Sequence, residues 1–192
     1  MSELQRVPGT RLIREDGKDA AEMLDALFIG GGLVLSQVTD LAGIEGYMVQ
    51  NWVRRGYLTP SVNKRYSKRQ FCRIVLINLL RDSLNIGEIT DLISRINGHL
   101  DDESDDLVDD AQLYVYFVRL LTICRGSDKN EVRVVARGVV SDFIEPVPGA
   151  RRSLVEILVI MYLAYNSSLL IKQAKELLGE LPAYADISNT SN

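Results

Sequence analysis

The sequence predicts a mainly all-α protein: a winged helix-turn-helix with a very short β wing, followed by a helical C-terminal domain. Three observations carry that prediction. Apolar residues recur at helical spacing through most of the chain. Helix starts and stops are written in local chemistry, as Ser-x-x-Gln and Asn-x-x-Glu boxes and as glycines just past the last apolar position. Extended signals are few: the path from Gly56 to Tyr66, and a Val-rich run at Val132–Val135 that fits either a helix or a strand. The expected organisation is an N-terminal arm and short helix (1–32), the winged helix-turn-helix (33–98), an acidic joint (99–110), a helical dimerisation or effector domain (111–182) and a flexible tail (183–192).

Ser2 to Asp19 mixes charges with Pro8, Gly9 and Gly17 and reads as a flexible or loosely docked arm. Ala20 to Ile29 fits a short amphipathic helix, with Met23, Leu24, Leu27 and Phe28 on one side, and Gly30-Gly31-Gly32 breaks it. The triple glycine is a weak match to a phosphate loop, because no Lys-Ser/Thr follows and no strand precedes it.

The first helix of the central motif is expected to start at Ser36, whose hydroxyl suits a first-turn N–H. Val38, Leu41 and Ala42 share a face, Gly43 turns the chain and Ile44 plugs the corner. Gly46 to Arg55 is the second helix. At 100° per residue Met48, Val49, Trp52 and Val53 gather inward. Tyr47, Gln50, Asn51 and Arg54 gather outward, with Arg55 on the flank. Arg and carboxamide side chains are the types that form bidentate bonds to guanine and adenine edges. Gly56 to Pro60 leaves in an extended path, and Ser61 to Tyr66 fits a tiny hairpin or wing.

Ser67 and Gln70 form a capping box, so a third helix starts at Lys68 and runs to Leu84, with Phe71, Ile74, Val75, Leu79 and Leu80 inward. Lys68 and Arg69 oppose the helix dipole in a first turn, and a nearby phosphate would compensate them. A fourth helix, opened by the Asn85–Glu88 box, carries Ile89, Leu92, Ile93 and Ile96 and stops at Asn97-Gly98.

Charge singles out the same region. Gly46 to Arg81 contains eight cations (Arg54, Arg55, Lys64, Arg65, Lys68, Arg69, Arg73 and Arg81) and no acid. The chain as a whole carries −4, so removing that +8 leaves −12 for the rest. A basic island in an acidic protein points to a polyanionic partner.

These residues carry a family likeness. Gly43-Ile44, Val49, Trp52, Gly56-Tyr57-Leu58, Pro60 and Lys64-Arg65-Tyr66-Ser67 resemble the DNA-binding head of MerR-type (mercury-resistance regulator) proteins. The stretch from Arg81-Asp82 through Leu92-Ile93 resembles that family's fourth helix. More narrowly, the chain resembles an uncharacterised bacterial family with this head and an all-helical tail, and the Asp-Asp-Glu-Ser-Asp-Asp run after Asn97-Gly98 is part of that likeness. Three positions depart from the MerR pattern: Glu45 replaces a capping Ser or Thr, Gln50-Asn51 replaces an Arg-Tyr pair, and the wing is short, as in excisionase-like relatives that bend DNA. The resemblance implies a homodimeric regulator that binds double-stranded DNA.

Asp101 to Asp110 holds seven acids without the glycine and ligand order of a calcium loop, and reads as a solvated joint leading into a helix N-terminus. An alternative is that this run competes with DNA for the basic island. Asp110 to Arg125 is helical through Leu113, Tyr116, Phe117, Leu120, Leu121 and Cys124, and Gly126-Ser127-Asp128 breaks it. Asn130 to Ile144 continues the helical period, although Val132-Arg133-Val134-Val135 also fits a strand. Ser153 to Tyr165 is the most apolar segment, too short for a bilayer span and suited to a buried helix or a subunit interface. A joint or kink is expected at Asn166-Ser167-Ser168, then a helix from Leu169 to Leu181. An unknown small-molecule effector has a conceivable pocket among Tyr114, Tyr116, Tyr162 and Tyr165; core tyrosines are the plainer reading.

The expected function is a sequence-specific DNA-binding transcriptional regulator acting as a homodimer. Tyr47, Gln50, Asn51 and Arg54 would read base edges or adjoining phosphates. Arg55, Lys64, Arg65, Lys68 and Arg69 would hold the backbone, and Tyr66 would pack the wing or donate to a phosphate. The alternatives are a protein-interaction adaptor that keeps the fold without DNA, and an excisionase-like DNA-bending protein. An enzyme is not expected: no nucleophile–base pair and no cofactor motif stands out. Cys72, Cys124 and His99 lack companions at metal-ligand spacing, so no metal and no disulfide framework is expected. No signal core or membrane span is read, and the composition suits a reducing cytoplasm.

Overall fold

Helix α4 (Lys68–Leu80) is the hub around which the other elements gather. It is opened by the expected box: Gln70 N donates to Ser67 Oγ at 3.2 Å, and Ser67 N donates to Gln70 Oε1 at 2.9 Å. Every residue from Gln70 to Ile77 is buried, because other helices cover each face of this helix. The computed structural model describes residues 6–15, 17–100, 102, 106–124 and 129–181.

In chain order the elements are α1 (Ala20–Phe28), β1 (Leu33–Val34), α2 (Leu35–Ala42), α3 (Gly46–Arg54), β2 (Arg65–Tyr66), α4, α5 (Ile86–Asn97), α6 (Asp110–Ile123), α7 (Lys129–Val139) and α8 (Ala150–Glu180). The protein is therefore mainly all-α, with one two-stranded antiparallel sheet that pairs Leu33 with Tyr66 and Val34 with Arg65. α4 packs on α1, α2, α5, α6 and α8. One hydrophobic cluster runs from Val7 through Trp52, Phe71 and Ile93 to Phe117, Phe143 and Tyr162, so the head and the C-terminal helices share a core.

Several expectations are corrected. The described part of the arm is docked: Val7 and Thr10 are buried, and Tyr114 donates its hydroxyl to Pro8 O at 2.6 Å. Gly9 makes that approach possible, with φ +74° and no room for a Cβ beside Val75 and Leu79. α2 begins at Leu35 rather than Ser36, and Gln37 Oε1 accepts from Val34 N at 3.0 Å. The third helix ends at Leu80, and a turn leads to α5. The Val132–Val135 run is helical, within α7. The joint at Asn166-Ser167-Ser168 does not occur; Ser168 Oγ donates back to Tyr165 O at 2.7 Å and the helix continues. The break at Gly126-Ser127-Asp128, the centre of the acidic run and the tail beyond Leu181 lie outside the described residues.

α8 is a single rod of 31 residues, about 46 Å long. By length and composition it is apolar enough to cross a membrane. Its first half is nonetheless a core helix, with Leu154, Leu158, Met161 and Tyr162 buried. From Leu169 to Leu181 every residue is exposed.

Candidate nucleic-acid interface

α2 and α3 form a helix-turn-helix, and both helices end in the same way. Gly43 adopts φ +65°, with Ile44 N–H on Thr39 O at 3.1 Å and Gly43 N–H on Asp40 O at 3.3 Å. Gly56 adopts φ +73°, with Tyr57 N–H on Trp52 O at 2.9 Å and Gly56 N–H on Val53 O at 3.0 Å. These are Schellman terminations, which fix where the chain leaves each helix. Val49 and Trp52 anchor α3 in the core, with Met48 and Val53 half-buried beside them.

That anchoring turns the opposite side of α3 to solvent. Tyr47 is 70% exposed, Gln50, Arg54 and Arg55 are exposed, and Asn51 is half-buried. Arg54 Nη2 donates to Asn51 Oδ1 at 2.8 Å, which aligns the guanidinium along the helix. Arg55 Nη2 donates to the Tyr57 hydroxyl at 3.1 Å, and its guanidinium lies 4.9 Å from the Tyr57 ring centroid. After Pro60 the chain forms a small hairpin turned at Asn63 and Lys64, whose φ values are +51° and +61°. Val62 and Arg65 exchange N–H···O bonds of 3.0 and 2.9 Å across it. Two positive φ values at a two-residue tip match a type I′ turn, and they leave Lys64 exposed. Arg65 is also exposed, with Nη1 on Gly32 O at 2.8 Å.

The basic island divides in two. Among the described residues, Arg54, Arg55, Lys64, Arg65 and Arg81 have no carboxylate partner. Lys68, Arg69 and Arg73 do. Lys68 Nζ lies 2.7 Å from Asp25, which raises the lysine's pKa. Arg69 bonds Asp106 at 2.7 Å and Asp110 at 3.3 Å. Arg73 Nε lies 3.0 Å from both Asp110 oxygens. The first-turn cations of α4 are thus compensated by the protein's own acids, and the expected phosphate is not needed there. Tyr66 is 5% exposed and packs the hairpin, as one of its two expected roles requires.

The described end of the acidic run leads into a helix N-terminus as expected, but the side chains of Asp106 and Asp110 are buried rather than solvated. Asp109 caps α6, accepting from Ala111 N at 2.7 Å and Gln112 N at 3.0 Å. Asp110 is 1% exposed; burial pushes its carboxyl up, and Arg73 and Arg69 pull against that shift. Gln70, legible in the sequence only as a cap, also places its Nε2 within 2.8–3.0 Å of Thr59 Oγ1, Thr59 O and Pro60 O. It thereby fixes the loop that leaves α3. Three of the four tail tyrosines are core residues: Tyr114, Tyr116 and Tyr162 are buried, and Tyr165 is half-buried with its ring edge-on to Phe117. No group of three metal-ligating side chains gathers among the described residues.

Residues 32–117 match the family model described as Domain of unknown function (DUF1836). The matched segment runs from the start of the sheet into α6, so it holds both the helix-turn-helix and the two acids that pair with Arg69 and Arg73. No curated protein matches the chain, and no solved structure does.

Proposed function

We propose that the protein is a sequence-specific DNA-binding transcriptional regulator that works in the cytoplasm as a homodimer, through a MerR-like head, and that it binds rather than catalyses. The observation that carries this reading is the solvent face of α3: two carboxamides and two arginines, with no carboxylate on either arginine among the described residues. A solvated helix face normally mixes both signs. In the reading, α3 lies in the major groove. Tyr47, Gln50, Asn51 and Arg54 meet base edges, while Arg55, Lys64 and Arg65 meet phosphates. Lys68 is peripheral, and Arg69 supports α4 from within rather than touching DNA.

The homodimer has a physical candidate on α8. Ile160, Leu163, Ser167, Leu170, Ala174, Leu177 and Leu181 follow alternating spacings of three and four, and all are exposed. That heptad stripe is self-complementary, so a second copy is the simplest cover for it.

The test is affinity for duplex fragments selected by footprinting on genomic DNA. Arg54→Ala should weaken binding to the selected site by about 1–3 kcal/mol, with a smaller effect on unrelated duplex. Equal binding of both proteins to every duplex would contradict the proposal. An adaptor would show weak, sequence-blind binding, and an excisionase-like protein would bend the fragment sharply.

A further inference from the structure

We infer that the cleft between the hairpin and the first turns of α4 is a binding site for a small organic anion. The cleft has a volume of about 610 Å³, within the range of small-molecule sites. Leu58 and Pro60 give it an apolar wall, and Arg65, Arg69, Arg73 and Asp110 line the other side.

Arg73 makes the case. Its side chain is 6% exposed and spends only Nε on Asp110. A guanidinium has five N–H donors, four of them on its Nη atoms. The four on the Nη atoms of Arg73 have no acceptor among the described residues and are not sealed from solvent, so they open into the cleft. They belong to a residue that lines the cleft, so an acceptor arriving there would complete them. Charge points the same way. Asp106 and Asp110 hold Arg69, and Asp110 holds Arg73, while Arg65 at the rim has no carboxylate among the described residues and leaves the lining cationic there. The planar fork suits a carboxylate or a phosphoryl group, and the apolar wall suits a carbon skeleton attached to it. None of Tyr47, Gln50, Asn51 and Arg54 lines the cleft, so the site is separate from the α3 face, with Arg65 common to this site and the proposed phosphate contacts.

The experiment titrates the full chain, without DNA, with citrate and with phenyl phosphate at constant ionic strength. It follows the arginine Nε–Hε signals by NMR and the melting temperature. At least one probe should saturate with half-saturation at or below about 1 mM, shift the Arg73 signal and raise the melting temperature. Arg73→Lys, which keeps a cation beside Asp110 but removes the fork, should weaken binding about tenfold or more. Arg65→Ala, at an exposed position, should weaken it several-fold without disturbing the fold. No saturation by either probe would overturn the inference. So would saturation that Arg65→Ala leaves unchanged, because the anion would then sit elsewhere.

Discussion

Replacing Arg73 by Met and Asp110 by Leu, singly and together, tests how α4 is fastened to α6. Both side chains are nearly inaccessible, and the Nε of one faces both oxygens of the other at 3.0 Å. Removing Asp110 leaves Arg73 buried without a carboxylate, and removing Arg73 leaves Asp110 buried with only the longer Arg69 contact at 3.3 Å, so each loss costs up to about 3–5 kcal/mol. With a urea m-value of about 2 kcal/mol/M, each single variant should lower the midpoint by up to roughly 1.5–2.5 M. The double variant removes both charges and should recover most of that loss, because an apolar pair of similar volume is often neutral. The pH dependence has a definite sign. Burial raises the Asp110 carboxyl above its ordinary 3.8 in the folded state, so this group favours folding most below its unfolded pKa. Its contribution declines as pH rises through the folded value, and the double variant should lack that decline. Urea denaturation across pH measures both effects. Single losses that simply add in the double variant would refute the coupling.

Three further outcomes are expected. Gly9→Ala would place a Cβ 2.7 Å from Leu79 Cγ and Val75 Cγ1 at φ +74°, so it should cost about 2–3 kcal/mol and lower the melting temperature by several degrees; an unchanged melting curve would show that the arm is not docked as described. Hydrogen bonds from Arg133 at 2.7 and 2.8 Å hold the Glu156 carboxyl below its ordinary 4.5, so its stabilisation is present above that value and is lost as pH falls through the folded pKa. The carboxylate is 45% exposed, so Glu156→Gln should flatten the acid limb of stability only slightly, and a steeper limb would contradict the assignment. Leu170→Asp with Leu177→Asp should convert a dimer to a monomer in sedimentation while leaving the melting of the fold intact, because both positions are 65% exposed; a dimer that persists would remove α8 from the interface.

Helices are legible in the sequence wherever local chemistry decides them. The Ser67–Gln70 and Asn85–Glu88 boxes, the glycine turns at Gly43 and Gly56, and the inward stripe of α3 all follow from neighbours within one or two turns. Partners distant in sequence are not legible. Asp25 and Asp110 stand 43 and 37 positions from the cations they bind, and nothing in the local pattern of α4 names them. The docking of the arm is hidden for a related reason: its anchor, Tyr114, lies 106 positions away from Pro8. Asn166-Ser167-Ser168 resembles a break because polar residues interrupt an apolar run, yet none of the three is Gly or Pro and Ser168 satisfies itself on the helix backbone. For the candidate site, the sequence distinguishes the outward side of α3 from its buried side. It cannot separate the solvent-facing half of the basic island from the half that is neutralised internally.

The most direct measurement is the salt dependence of duplex binding by the full chain. Each phosphate neutralised contributes a slope of about −0.9 in log K against log salt. With Arg55, Lys64 and Arg65 on the backbone of each half-site, a dimer should give a slope of about −5. A flat dependence would contradict the account, because the uncompensated cations of α3 and the hairpin would then have no polyanion to meet.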